Sequence, residues 1–148
     1  MHKLKTKRAQ AALAAIPELR SFANAILGPV GCVDNLIHGS IVDCWGSPET
    51  NTFRFHLFRS LVSAIREYLG RETNNEGTVP SASEKGTSIS DVLSDLPYEQ
   101  REAFTLVGLA GFSVSEAAAL TGHSVTEMDR LAKEGARLAY MAWRRVIH

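Results

Sequence analysis

Two four-residue sequences, Ser113-Val114-Ser115-Glu116 and Ser124-Val125-Thr126-Glu127, each set a hydroxyl and a carboxylate three positions apart. Their chemistry is hydrogen bonding rather than bond making. In a capping box the serine oxygen accepts from the backbone N–H three residues on, and the glutamate reaches back to the serine's own N–H, satisfying two donors orphaned at a helix start. Gly122 lies between the two starts, where a sharp helix exit requires positive φ. Ala117, Ala118 and Leu120 give the first helix a small apolar inner face. In the second, Val125, Met128, Leu131 or Ala132, Gly135, Leu138 and Ala142 recur at helical spacing. The pattern predicts a helix-turn-helix whose second helix is long.

The remaining reactive residue types form no catalytic constellation. There is no phosphate-cradling glycine loop, no serine or cysteine with a plausible base, and no carboxylate pair placed in a cleft, so no catalytic residue and no enzymatic activity are expected. His2, His56, His123 and His148 are scattered without ligand spacing, and Cys32 and Cys44 lack the paired spacing of a zinc site. No metal and no cofactor are expected. The two cysteines read as buried thiols, Trp45 and Trp143 as core anchors, and His38 as the hydrogen-bonded helical neighbour of Asp34.

The elements that must position these groups are all helical. Leu13, Ile16, Leu19, Phe22, Ala23, Ile26 and Leu27 form one apolar stripe, with Pro17 opening a fresh helix and Gly28-Pro29 ending it. A second stripe covers Val33, Leu36, Ile37, Ile41 and Cys44-Trp45, closed by Gly46-Ser47-Pro48. A third covers Phe53, Leu57, Phe58, Leu61, Val62, Ile65 and Leu69. Leu96-Pro97 then introduces a helix holding Ala103, Phe104, Val107 and Ala110, ended by Gly111. The segment 71–90 is polar, contains Pro80, and reads as a flexible linker. The chain is therefore expected to be all-α, with helical units at 1–70 and 91–148, each small for a self-sufficient domain.

Formal charges cancel over the 148 residues, but unevenly. Residues 1–72 hold nine Lys/Arg against six Asp/Glu, and residues 73–148 hold seven against ten. Summed over 113–137, the helix-turn-helix carries three bases and four acids. The basic start (Lys3 to Arg8) and Arg144-Arg145 read as solvated faces. No apolar run approaches the roughly 20 residues needed to cross a bilayer, and no signal core follows the basic start, so a cytoplasmic location without membrane contact is expected.

Three blocks in this order resemble a bacterial extracytoplasmic-function (ECF) sigma factor: helical region 2, a polar linker, and a region 4 helix-turn-helix. The likeness spans about residues 12 to 145. Its most specific part is Leu96-Pro97-Tyr98-Glu99-Gln100-Arg101, followed by Gly111-Phe112-Ser113 and Glu116-Ala117-Ala118. Val33 to His38, Trp45 and Phe53 to Leu61 fall on the region 2 pattern. The resemblance implies binding to core RNA polymerase and promoter DNA, without catalysis. On it, Asp34, His38, Arg54 and Arg59 would serve the polymerase and −10 side. Ser124, Thr126, Glu127, Arg130 and Lys133 would serve the −35 side.

The sequence departs from the family at Asn35, His38, Gly39 and Asp43. In the second helix, Asp129, Leu131 and Glu134 fall where the family has bases and Glu127 where it has a threonine, which implies weak intrinsic DNA affinity. In this the chain also resembles the sigma-like output domain of alphaproteobacterial general-stress response regulators, a link to stress responses. An alternative follows: a sigma mimic without DNA binding that sequesters an anti-sigma factor, with Phe55, Leu57, Met128 and Leu131 as its apolar contacts.

Overall fold

The computed structural model describes residues 2–28, 31–45, 53–74 and 92–147, with side chains at 9–28, 31–45, 53–71 and 92–145. Every regular element among them is a helix: α1 (His2–Leu27), α2 (Val33–Cys44), α3 (Phe53–Asn74), α4 (Tyr98–Phe104), a π-helical turn (Thr105–Leu109), α5 (Val114–Thr121) and α6 (Val125–Ile147). None of these helices is long and apolar enough to cross a membrane. The architecture is all-α. The chain forms two compact units, Met1–Ala23 with Pro29–Gly77, and Asn24–Gly28 with Thr78–His148. Residues 46–52, including the expected Gly46-Ser47-Pro48 turn, and 75–91 of the expected linker lie outside the described residues, whereas 71–74 continue α3.

In the first unit the apolar stripe of α3 is its backbone of burial. Phe53, Leu57, Phe58, Leu61, Val62 and Ile65 are all within 1% of complete burial, and Leu19 and Phe22 of α1 and Val33 and Ile37 of α2 are buried in the same unit. The Phe22 and Phe58 rings meet edge to face, their centroids 5.5 Å apart. Pro17 does not open a new helix. It sits inside α1, which runs unbroken. The carbonyl that loses its bond to the missing proline N–H belongs to Leu13, 67% exposed, so the defect lies on the solvent side while Ala12, Ala15, Leu19 and Phe22 hold the buried side in register. Leu13 thus leaves the expected core stripe. Trp45 is likewise at the surface rather than anchoring the core.

In the second unit α6 is the spine. Met128 and Leu131 are fully buried, Ala132, Ala139 and Ala142 nearly so, against α4, α5 and the π turn. Gly135 is where α4 and α6 come closest: a Cβ built there would lie 2.4 Å from the Gln100 carbonyl oxygen and 2.9 Å from Phe104 Cβ. Only glycine fits this crossing. The helix after Leu96-Pro97 does not remain α-helical to Gly111. Over Thr105–Leu109 it widens, with the Ala110 N–H donating to Thr105 O at 2.8 Å and the Phe112 N–H to Leu106 O at 3.0 Å. The Thr105 hydroxyl donates to Arg101 O at 2.6 Å, a back-bond that loosens the ladder at this point. Phe112 is thereby buried at the entrance to α5.

Arg101 secures this unit from inside. Its guanidinium donates to the carbonyls of Ile26 (2.9 Å), Ser94 (3.1 Å) and Leu96 (2.8 Å), joining the last turn of α1 to the Leu93–Leu96 corner. Ala25, Leu93, Leu96 and Ala139 form an apolar cluster there, with Phe104 and Leu138 against it. Burial lowers the Arg101 pKa from its ordinary value, with Tyr98 and Asp95 acting in the opposite direction.

Candidate functional site

The two helix starts place the candidate residues of the second unit. At the first, both capping-box bonds form: the Glu116 N–H donates to Ser113 Oγ at 3.1 Å, and the Ser113 N–H donates to Glu116 Oε1 at 3.0 Å. Gly122 ends α5 at φ +82°, its N–H donating to Ala118 O. This left-handed exit turns the chain into Ser124, whose hydroxyl accepts from the Glu127 N–H at 3.1 Å. The reciprocal bond expected of Glu127 is replaced. Its carboxylate instead takes Arg130, whose Nε approaches to 3.1 Å.

Ser124, Thr126, Arg130 and Lys133 are exposed on the first turns of α6, and Glu127 is half-buried beside them. Val125, expected in the core stripe, is 52% exposed and joins this outer face. Three bases of this helix are each held by an acid of the same helix: Arg130 by Glu127, Lys133 by Asp129 at 2.9 Å, and Arg137 by Glu134 with Nε at 3.2 Å. Hydrogen bonds from Arg130 and Arg137 hold the carboxyls of Glu127 and Glu134 below their ordinary range, and raise both guanidiniums in return. The surface can therefore present hydrogen-bonding groups and cations to a polyanion, but only by releasing these pairs.

The first unit scatters its candidates. Asp34 pairs with Arg20 of α1 at 3.2 Å rather than with His38, which is exposed on α2. Arg54 pairs with Glu18 at 2.7 Å and stands over the Phe58 ring, 5.0 Å from its centroid. Arg59 is exposed and lines a groove of about 520 Å³ between α2 and α3, together with Asn35, Asp43, His56 and Glu67. Across that groove Ser60 donates to Asp43 at 3.2 Å, and the Cys44 thiol donates to His56 O at 3.3 Å. Burial, with Asp43 nearby, raises the Cys44 pKa; Cys32 is only partly buried, unlike the thiol expected from its sequence setting.

Three expected apolar contact residues are inaccessible. Leu57, Met128 and Leu131 are each at 0% exposure, committed to the cores of their units; Phe55 is partly exposed, its ring 5.8 Å from that of His56. Among the described residues, the exposed large apolar side chains of α6 are instead Val125, Tyr140, Met141 and Trp143, the last not the core anchor expected. Arg137 joins the exposed cations of α6 without having been expected among them. Its sequence signal is the three-residue step from Glu134.

No family model matches the sequence. A relative from Rhodopseudomonas palustris (strain TIE-1), the ECF RNA polymerase sigma factor EcfG, is 30% identical over an alignment covering 76% of this chain and 72% of the relative. The chain belongs to the ECF RNA polymerase sigma factors. Two solved structures share its fold. The sigma factor RpoE in complex with the anti-sigma factor NepR, from Bartonella quintana, superposes with a TM-score of 0.68 at 21% identity, over 92% of this chain and 96% of that one. CnrH in complex with the cytosolic domain of CnrY gives 0.67 at 20% identity, over 93% and 94%.

Proposed function

We propose that this chain acts in transcription initiation in the cytoplasm, binding core RNA polymerase and promoter DNA, with the helices up to Asn74 as region 2, the segment that follows as the linker and 91–148 as region 4. The observation that carries the reading is the start of α6: Gly122 and Ser124 turn a helix outward so that Met128 and Leu131 are buried while Thr126, Arg130 and Lys133 are exposed. That is the arrangement by which a second helix enters a major groove. Asp34, His38, Arg54 and Arg59 are assigned to the polymerase and −10 side, and Ser124, Thr126, Glu127, Arg130 and Lys133 to the −35 side.

The paired cations imply low affinity for free DNA. Tethering on polymerase offsets this by raising the effective concentration of promoter at the helix. An anti-sigma factor is a further proposed partner, because the structural relatives RpoE and CnrH are held in complexes with NepR and with the cytosolic domain of CnrY. The mimic reading has less support, since three of its four apolar residues are buried. The test is reconstitution with purified core polymerase and promoter DNA at graded salt. Chain-dependent open complexes are expected; capture of an anti-sigma factor with no DNA complex at any salt would overturn the reading in favour of the mimic.

A further inference from the structure

Summed along the sequence, the helix-turn-helix is slightly acidic; sorted by helix face, it is not. Thr126, Arg130, Lys133, Arg137, Tyr140 and Arg144 follow one another in alternating steps of four and three residues, which return to the same side of an α-helix. All six are exposed. The line carries four cations and no acid. Asp129 falls on one flank, and Glu127 and Glu134 on the other, each reaching across to a base of the line. Glu99 of α4 adds its field at Arg130. Arg144 lies over the Tyr140 ring, 5.9 Å from its centroid.

From Thr126 to Arg144 the line is about 27 Å long at 1.5 Å per residue. A major groove is only about 12 Å wide. With the Thr126 end seated toward base edges, Arg137 and Arg144 extend past the groove, level with backbone phosphates. Guanidiniums suit that position, since they pair with phosphate oxygens in the same forked geometry they use for carboxylates.

We infer that the exposed line Arg130–Lys133–Arg137–Arg144 is a binding track for the phosphate backbone of duplex DNA, and that Glu127, Asp129 and Glu134 are internal competitors that phosphates must displace. This rests on the promoter-binding reading and deepens it: Arg137 and Arg144 become affinity residues blind to base sequence, and Glu127 and Glu134 set how weakly the free protein binds. Each displaced carboxylate leaves a charge beside the incoming phosphate, so removing that charge must strengthen binding.

The experiment measures binding of the full chain, with core polymerase, to a promoter duplex and to an unrelated duplex over a series of salt concentrations. Glu134→Gln and Glu127→Gln are expected to tighten both complexes about three- to tenfold, a gain that misfolding cannot imitate. Arg137→Gln and Arg144→Gln are expected to weaken both by similar factors and to lower the salt slope by about 0.9 for each phosphate no longer neutralised. If the wild-type complex forms but neither arginine alters its salt slope, or neither Glu→Gln change tightens it, the track is refuted while promoter binding stands. If instead the arginine variants lose an acidic protein partner and the wild type never binds DNA, the track and the promoter reading both fall.

Discussion

The two Ser-Val-Xaa-Glu sequences of the helix-turn-helix are nearly the same in type and are used differently. At Ser113 the motif is closed on itself, the serine and Glu116 each satisfying the other's backbone. At Ser124 only the serine half forms, and Glu127 turns outward to Arg130. The difference follows from what lies one turn on. After Glu116 come Ala117, Ala118 and Ala119, which offer a carboxylate nothing, whereas after Glu127 a guanidinium stands three residues away. A charge-assisted, two-pronged contact outcompetes one neutral backbone donor that solvent can also satisfy. One start fixes the fold; the other sets the charge of the exposed face.

The largest effect is expected at the crossing of α4 and α6. Gly135→Val should destabilise the second unit by about 3 kcal/mol or more, because the new side chain has no room at Gln100 and Phe104. Thermal melts followed by circular dichroism would show it as a separate early transition. Arg101→Met comes next, at about 2 kcal/mol, from three carbonyls losing a charged donor. A finer cut separates the two motifs. Ser113→Ala and Glu116→Ala should each cost about 0.5–1 kcal/mol of stability. Glu127→Ala should cost clearly less, since a solvent-exposed ion pair within a helix contributes little to stability. Equal losses at Glu116 and Glu127 in denaturant titrations would erase the distinction.

The smallest effect expected is with pH. Hydrogen bonds from Arg130 and Arg137 depress the Glu127 and Glu134 pKa values below the ordinary 4.5. A depressed carboxyl contributes its stability above the unfolded value and loses it as pH falls through the folded one. Proton-detected titration should therefore show both carboxyls ionised throughout about pH 6–8, and mild acid should not release the cations. Titration of either carboxyl at or above the ordinary value would show that the pairs do not persist in solution.

The helix-turn-helix was legible because its signals are local: a serine three residues before a glutamate, a glycine at an exit, alanines on one face. The core of α3 was legible for the same reason, as an unbroken apolar stripe. What the sequence hid depended on tertiary context. Pro17 looks like a helix start until the exposed position of Leu13 shows that a lost bond there is tolerated. Trp143 and Val125 look apolar and therefore interior, but the buried arc of α6 is already filled by Met128, Leu131 and the alanines. Thr105 carries no sign of a π turn. Charge summed along the chain misjudges the exposed face of α6, because acids and bases on a helix occupy different sides. The groove beside Arg59 forms only where two consecutive helices pair, so neither stretch alone announces it.

Our proposal puts the outward face of α6 on promoter DNA when the chain is held on polymerase. It is tested most directly by placing a photo-crosslinker at Thr126, with Ala119 of α5 as an exposed control, and irradiating the complex of chain, core polymerase and promoter. Crosslinks to DNA are expected from Thr126, upstream of the melted segment, and far fewer from Ala119. Crosslinks from Thr126 to protein alone, with DNA untouched in a complex that does contain polymerase and promoter, would contradict it.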